Sequence, residues 1–169
     1  MAETLEQLAR DVRETLSAES GTGGLNKVRQ RLSQALQDKD FLAGLLPARA
    51  PGAIPREVLY EDPELGFCIC GHVYDSAALG SPHDHGSSWA IYGQADGITE
   101  MTEWTIVEKG NGDAPSLVVP AETYTMEPGD ARLYDVGVVH SPKREHPVKL
   151  IRIEGTNLDH VERSNIKAK

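Results

Sequence analysis

The chain has 169 residues, 39% of them hydrophobic and 25% charged, and 17 Lys and Arg face 26 Asp and Glu for a net charge of −9. That length and balance suit one globular domain with a core of its own. No run approaches the ~20 apolar residues of a membrane span, and the negative charge repels nucleic-acid phosphates and anionic lipid surfaces, so neither nucleic acid nor membrane is an expected partner. Cys68 and Cys70 stand one residue apart, a spacing unsuited to bridging each other. The acidic, amphipathic first residues lack the basic and then uniformly apolar pattern of a secretion signal, so the expected compartment is a reducing cytoplasm.

Residues 1–47 read as a helical segment. Thr4 and Gln7 have capping-box spacing, and Leu5, Leu8, Val12 and Leu16 form one helical stripe. The Gly- and Ser-rich stretch from Ser17 to Gly24 reads as a break. Leu25, Val28, Leu32 and Leu36 then write a second helix, and Asp40 is placed to cap a further turn through Leu45. Residues 48–55 are rich in proline and read as a linker. From Arg56 to about residue 155 the texture changes to short runs of Val, Ile, Tyr, Trp and Thr punctuated by Gly, Pro and Asp. They are REVLY, GFCICGHVY, SWAIYG, GITEMTEWTIVE, SLVV, ETYTM, ARLYDV and VKLIRIE. With no helical period between them, an antiparallel all-β sandwich or barrel is expected rather than a parallel sheet with crossover helices. Residues 156–169 read as a polar, partly ordered tail.

The chemistry concentrates around histidine. In Pro82-His83-Asp84-His85-Gly86 two imidazoles stand at i and i+2, which in an extended strand places both on one face, within reach of one metal ion. Downstream, Pro128-Gly129-Asp130 marks a turn, and Gly137 permits a sharp backbone path that aims His140 inward. The pair His83 and His85 with Gly97 after it resembles the first cupin motif, and Gly129, Gly137 and His140 fall at the spacing of the second. Asp135 stands where cupins usually carry proline. The resemblance covers about Arg56 to Glu154 and implies an all-β core, a cupin double-stranded β-helix barrel (jelly-roll), behind an N-terminal helical segment. It implies His83, His85 and His140 as metal ligands. Many cupins add a glutamate a few residues after the histidine pair; here Gly86, Ser87, Ser88, Trp89 and Ala90 follow instead. Three neutral imidazoles would leave a divalent metal's charge uncompensated, which favours anionic, chelating substrates and open coordination positions.

Within the cupins the chain resembles, distantly, the cysteine dioxygenase family of thiol dioxygenases, through the His-Asp-His triplet, the interval from His85 to Gly97 and an arginine on an early strand, Arg56. The resemblance implies that Arg56 holds a substrate carboxylate as a charge-assisted pair. Two departures stand out. Ala90 occupies the place of a crosslinked cysteine, and Lys149, Ile151 and Ile153 occupy that of the family's Ser-x-His-x-Tyr relay. On the strand GFCICGHVYD the residues Cys68, Cys70, His72 and Tyr74 share a face that the resemblance turns into the barrel, so His72 is a candidate substrate contact, and Tyr92 a candidate pocket wall. Each ligand ring is expected to donate its other N–H to a neighbour, with Asp84 and Asp135 nearby. His146, His160, Glu100 and Glu103 read as solvated groups, and Trp89 and Trp104 as packing residues.

The expected function is a non-haem iron(II) dioxygenase that oxidises a small chelating substrate, such as a thiol carboxylate, with O2. Two alternatives stand beside it: a three-histidine cupin dioxygenase cleaving a β-dicarbonyl or hydroxyketone, and a non-catalytic metal-binding cupin. Imidazole ligation also suits zinc, nickel or copper. A homodimer is a further expectation, from edge strands and an amphipathic helix.

Overall fold

The computed structural model describes residues 3–169. It opens with α1 (Leu5–Ala18), α2 (Gly21–Ala35) and a short α3 (Lys39–Leu45). The Thr4 side chain accepts the Gln7 N–H at 3.1 Å and starts α1 as the capping-box spacing predicts. α2 begins earlier than expected, with Gly21 to Gly24 inside its first turn. A Cβ at Gly24 would collide with the Glu19 carbonyl, so glycine here lets two helices meet across a tight corner rather than ending one of them. Asp38, not Asp40, caps α3, accepting the Phe41 N–H at 3.0 Å.

Ten strands follow: β1 (Arg56–Glu61), β2 (Cys68–Tyr74), β3 (Ala78–Leu79), β4 (Ala90–Asp96), β5 (Thr99–Glu108), β6 (Ser116–Met126), β7 (Ala131–Tyr134), β8 (Val139–Arg144), β9 (Val148–Glu154) and β10 (Ile166–Ala168). They form two five-stranded sheets, ordered β1-β2-β9-β4-β7 and β10-β6-β5-β8-β3. Every pairing is antiparallel except that of β10 with β6. This is a double-stranded β-helix with helices added at its N-terminal side, the fold of the cupins. Among the described residues no helix is long and apolar enough to cross a membrane.

The two sheets differ in what covers them. On the first, Ile69, Ile91, Ile151 and Ile153 project outward into one core with Leu8, Val12, Val28, Leu32 and Leu36 of the helices. The opposite face of that sheet meets the second sheet, where Ala90, Tyr92 and Tyr134 pack with Met101 and Met126. Strands β2, β4 and β9 are therefore buried on both sides, and their sequences lack the alternation of a half-exposed strand. β5 and β6 have long exposed stretches. Arg13 of α1 reinforces the docking, donating through Nε to the buried Asp62 at 2.7 Å.

Two expectations change. SLVV and ETYTM belong to one strand, β6, because Pro120 sits at a register shift: Glu103 pairs with Glu122 and Trp104 with Pro120, leaving Ala121 as an inserted residue. A proline, lacking an N–H, is accommodated at such a bulge. The segment beyond residue 155 is also more ordered than its weak patterning suggests. Leu158–His160 form a 3-10 turn and β10 pairs with β6; its order comes from backbone pairing, which side-chain periodicity does not register.

Leu32 is fully buried between α2 and the first sheet. Leu32→Ala is expected to lower the unfolding free energy by about 3 kcal/mol, whereas Ile106→Ala, at a side chain 40% exposed, changes it by less than about 0.5 kcal/mol; urea denaturation of both variants checks the contrast.

Candidate metal centre

His83 lies on the loop between β3 and β4, and His140 near the start of β8. Their backbones form a reciprocal pair: His83 N–H donates to the His140 carbonyl at 3.0 Å, and His140 N–H to the His83 carbonyl at 2.9 Å. Gly137, at φ 82°, makes the turn that delivers His140, with Val138 N–H closing it on Asp135 O at 3.1 Å. His85 follows two residues after His83. The turn after it depends on Gly86, at φ 59°, where a Cβ would collide with the Glu162 carbonyl of the C-terminal segment. One nitrogen from each of His83, His85 and His140 falls within 4.8 Å of the others.

The rings are held in a state that can ligate. His83 Nδ1 donates to the Ser81 carbonyl at 2.9 Å and His140 Nδ1 to the Val138 carbonyl at 3.2 Å. Each bond leaves Nε2 with its lone pair. Burial pushes the pKa of His83 down to about 4 and those of His85 and His140 to about 2. His85 Nδ1 is buried without a hydrogen-bond partner. Three uncharged imidazoles with converging nitrogens fit a divalent ion of the nitrogen-preferring series. Asp84 and Asp135 do not support the rings. Asp84 accepts the N–H groups of Gly86 and Ser164, Asp135 accepts from Thr22 Oγ1 and Val136 N–H, and backbone carbonyls take the ring protons of His83 and His140 instead.

Tyr92 touches two of the three rings. Its hydroxyl lies 3.0 Å from His85 Nε2 and 3.2 Å from His140 Nε2. Behind His140, Tyr134 stacks on the imidazole at 4.0 Å between ring centroids. The Tyr134 hydroxyl meets that of Tyr124 at 2.8 Å, and Tyr124 donates to Glu103 at 2.9 Å. Glu103 is thus tied into the site's support rather than solvated, a link that rests on the pairing of β5 with β6 and is invisible in the local sequence.

A cavity of about 400 Å³ lies beside the cluster and meets it at His83, lined also by His72, Tyr74, Tyr92 and the arginines Arg56, Arg144, Arg152 and Arg163. His72 is buried, its Nδ1 3.1 Å from the Tyr74 hydroxyl. Burial, together with the positive charges of Arg152, Arg56 and Arg144, holds its pKa well below the ordinary imidazole value. Arg56 is already engaged, donating to Glu154 at 2.8 Å, Asp159 at 2.6 Å and Asn157 at 3.0 Å. Burial opposes its charge, but the Glu154 hydrogen bond and charge outweigh that and raise its pKa. Cys68 and Cys70 are free and buried on β2. Burial, with Glu154 among the charges acting on both, pushes their thiols up to about 11 and about 12.

Lys149, Ile151 and Ile153 face away from the site. Lys149 reaches the Leu46 carbonyl at 2.7 Å, and Ile151 and Ile153 pack against the helices. Arg152 and Glu154, on the opposite face of β9, are the side chains turned toward the site. Arg152 and Arg144 belong to no local motif, and on β9 Arg152 stands beside Lys149 and Glu154 with nothing in the sequence to tell the faces apart.

No protein-family model matches the chain, and no curated protein matches its sequence. Among solved structures, KdgF from a Halomonas species is 20% identical, over 59% of this chain and 74% of that one, at a TM-score of 0.43. A cupin superfamily protein from Desulfitobacterium hafniense is 14% identical, over 69% and 88%, at 0.48. A conserved Klebsiella pneumoniae protein with a double-stranded β-helix domain is 14% identical, over 70% and 84%, at 0.48.

Removal of one ligand is expected to empty the centre without unfolding the barrel: His140→Ala binds iron(II) or zinc more than about 100-fold more weakly, with an unchanged far-ultraviolet spectrum; metal titration checks this. A pH effect follows from the lowered imidazole pKa values. The unfolded chain's histidines take up protons near pH 6.5, whereas the folded rings resist protonation until about 4 for His83 and about 2 for His85 and His140. Stability of the metal-free protein is therefore complete above about pH 6.5 and falls as the pH drops below it. Urea midpoints at about pH 7.5 and about pH 5.5 measure the loss, which is smaller in His140→Ala.

Proposed function

We propose that the protein is a non-haem iron(II) dioxygenase acting on a small, anionic, chelating molecule, with a thiol carboxylate as the favoured substrate class. The observation that carries this reading is an uncharged three-imidazole donor set that reaches, through His83, a cavity lined by four arginines. His83, His85 and His140 hold the ion. Iron(II) supplies, when bound, open coordination positions and the redox activation that oxygen chemistry needs.

The chain's own groups do the rest. The arginines attract and orient the anion and exclude competing neutral molecules. Arg56 lines the same cavity, and its pairing with Glu154 fixes it there. His72, held neutral, offers a hydrogen bond from the cavity wall, and the Tyr92 hydroxyl stands beside the donor set, close to His85 and His140. With a thiolate substrate both atoms of O2 end on sulfur as a sulfinate, so no external reductant is consumed. A β-dicarbonyl substrate calls for an apolar mouth, which the arginines disfavour. The distant resemblance to the thiol dioxygenases supports the same reading. Cytoplasmic location and small-molecule partnership belong to this proposal.

Metal analysis of protein purified without added metal, followed by oxygen uptake of the iron(II)-loaded form, tests it. Near-stoichiometric iron and uptake with thiol carboxylates but not with neutral thiols or β-dicarbonyls is the expected result. Zinc or nickel with no uptake on any of them would instead leave a metal-binding protein without oxygenase activity.

A further inference from the structure

Two arginines in the cavity wall lack the partners that a buried cation needs. Arg144 on β8 is 9% exposed. Its guanidinium lies 3.8 Å over the Tyr74 ring, it has no carboxylate partner among the described residues, and its Nε is buried without a hydrogen bond. Arg152 on β9 is 8% exposed and lies 4.1 Å over the Tyr92 ring. Its Nε is likewise unpartnered, and its one ion pair, 3.5 Å to Glu154, is shared with Arg56, which holds the same carboxylate at 2.8 Å. Aromatic faces stabilise a guanidinium but leave its N–H donors unused.

His72 completes the set. It is 2% exposed, and its Nε2 has no partner. The Tyr74 hydroxyl can donate to Nδ1, and in that tautomer Nε2 carries the ring hydrogen and is a third free donor on the same wall. The charges also fail to balance. Arg56, Arg144, Arg152 and Arg163 around the cavity face Glu154 and Asp159, four positive against two negative, which leaves an excess of two. Buried donors and buried cations in native proteins are matched, by protein or by ligand.

We infer that Arg144, Arg152 and His72 form an oxyanion-binding subsite beside the histidine cluster, which takes the remote anionic headgroup of a small molecule whose other end reaches the histidines. The second half of that statement rests on the proposed function; the subsite itself does not require a metal. It assigns the headgroup to β8 and β9 rather than to Arg56, whose donors are spent on Glu154, Asp159 and Asn157. The guanidiniums present planar donor edges and suit a carboxylate, while three donors from three strands also suit the tetrahedral oxygens of a sulfonate.

The test uses metal-free protein, so that failure of the metal reading leaves it intact. Sodium acetate and sodium sulfate are titrated at constant ionic strength while nitrogen–proton correlation spectra follow the arginine Nε–H signals. Saturable shifts at Arg144 and Arg152, with Arg13 unmoved, are expected for at least one anion, and the tighter of the two identifies a planar or a tetrahedral headgroup. Arg144→Met should weaken the binding at least 10-fold, and Arg152→Met serves as the independent variant should the first fail to fold. Linear, non-saturating shifts, or saturable binding that both variants retain, would overturn the assignment.

Discussion

The reciprocal backbone pair between His83 and His140 is the constraint on which the site depends. Residues 57 positions apart are locked at 3.0 and 2.9 Å by two N–H···O bonds, so the loop before β4 and the start of β8 cannot move independently. The imidazoles inherit that fixed separation. Their second nitrogens are then oriented by carbonyls of the same two chain segments, Ser81 and Val138. Ring position and tautomer are thus both set by main chain, which costs no side-chain entropy to hold.

A second requirement is that the site lie away from water while its strands remain in a stable sheet. Docking α1 and α2 on the outer face of the first sheet meets it. The isoleucines of β2, β4 and β9 spend their apolar surface on the helices, which leaves the inner positions of the same strands free for His72, Tyr92, Arg152 and Glu154. Burying those polar groups is unfavourable by itself. The outward core offsets it, and so the helical segment belongs to the energetics of the site even though its residues do not line the cavity beside the histidines.

The sequence made the histidines legible because a His-x-His pair and a glycine-delivered third histidine are local patterns. It was also enough for the all-β barrel with helices before it. The inner face of β9 was not legible. A strand buried on both sides carries no contrast between apolar and polar faces, so nothing local separates Lys149, Ile151 and Ile153 from Leu150, Arg152 and Glu154, and a one-residue slip exchanges the sets. Arg56 presented a different difficulty. Its partners Glu154, Asn157 and Asp159 lie about a hundred positions away, and only tertiary structure shows that its donors are already committed.

Cys68 and Cys70 sit inside a barrel proposed to handle oxygen, where a reactive sulfur would be a liability. Oxidation to sulfenic acid proceeds through the thiolate. With pKa values of about 11 and about 12, on the order of one Cys68 side chain in ten thousand is ionised at neutral pH, and fewer of Cys70. The same burial and negative charge that keep these sulfurs protonated make them durable filler of the barrel interior.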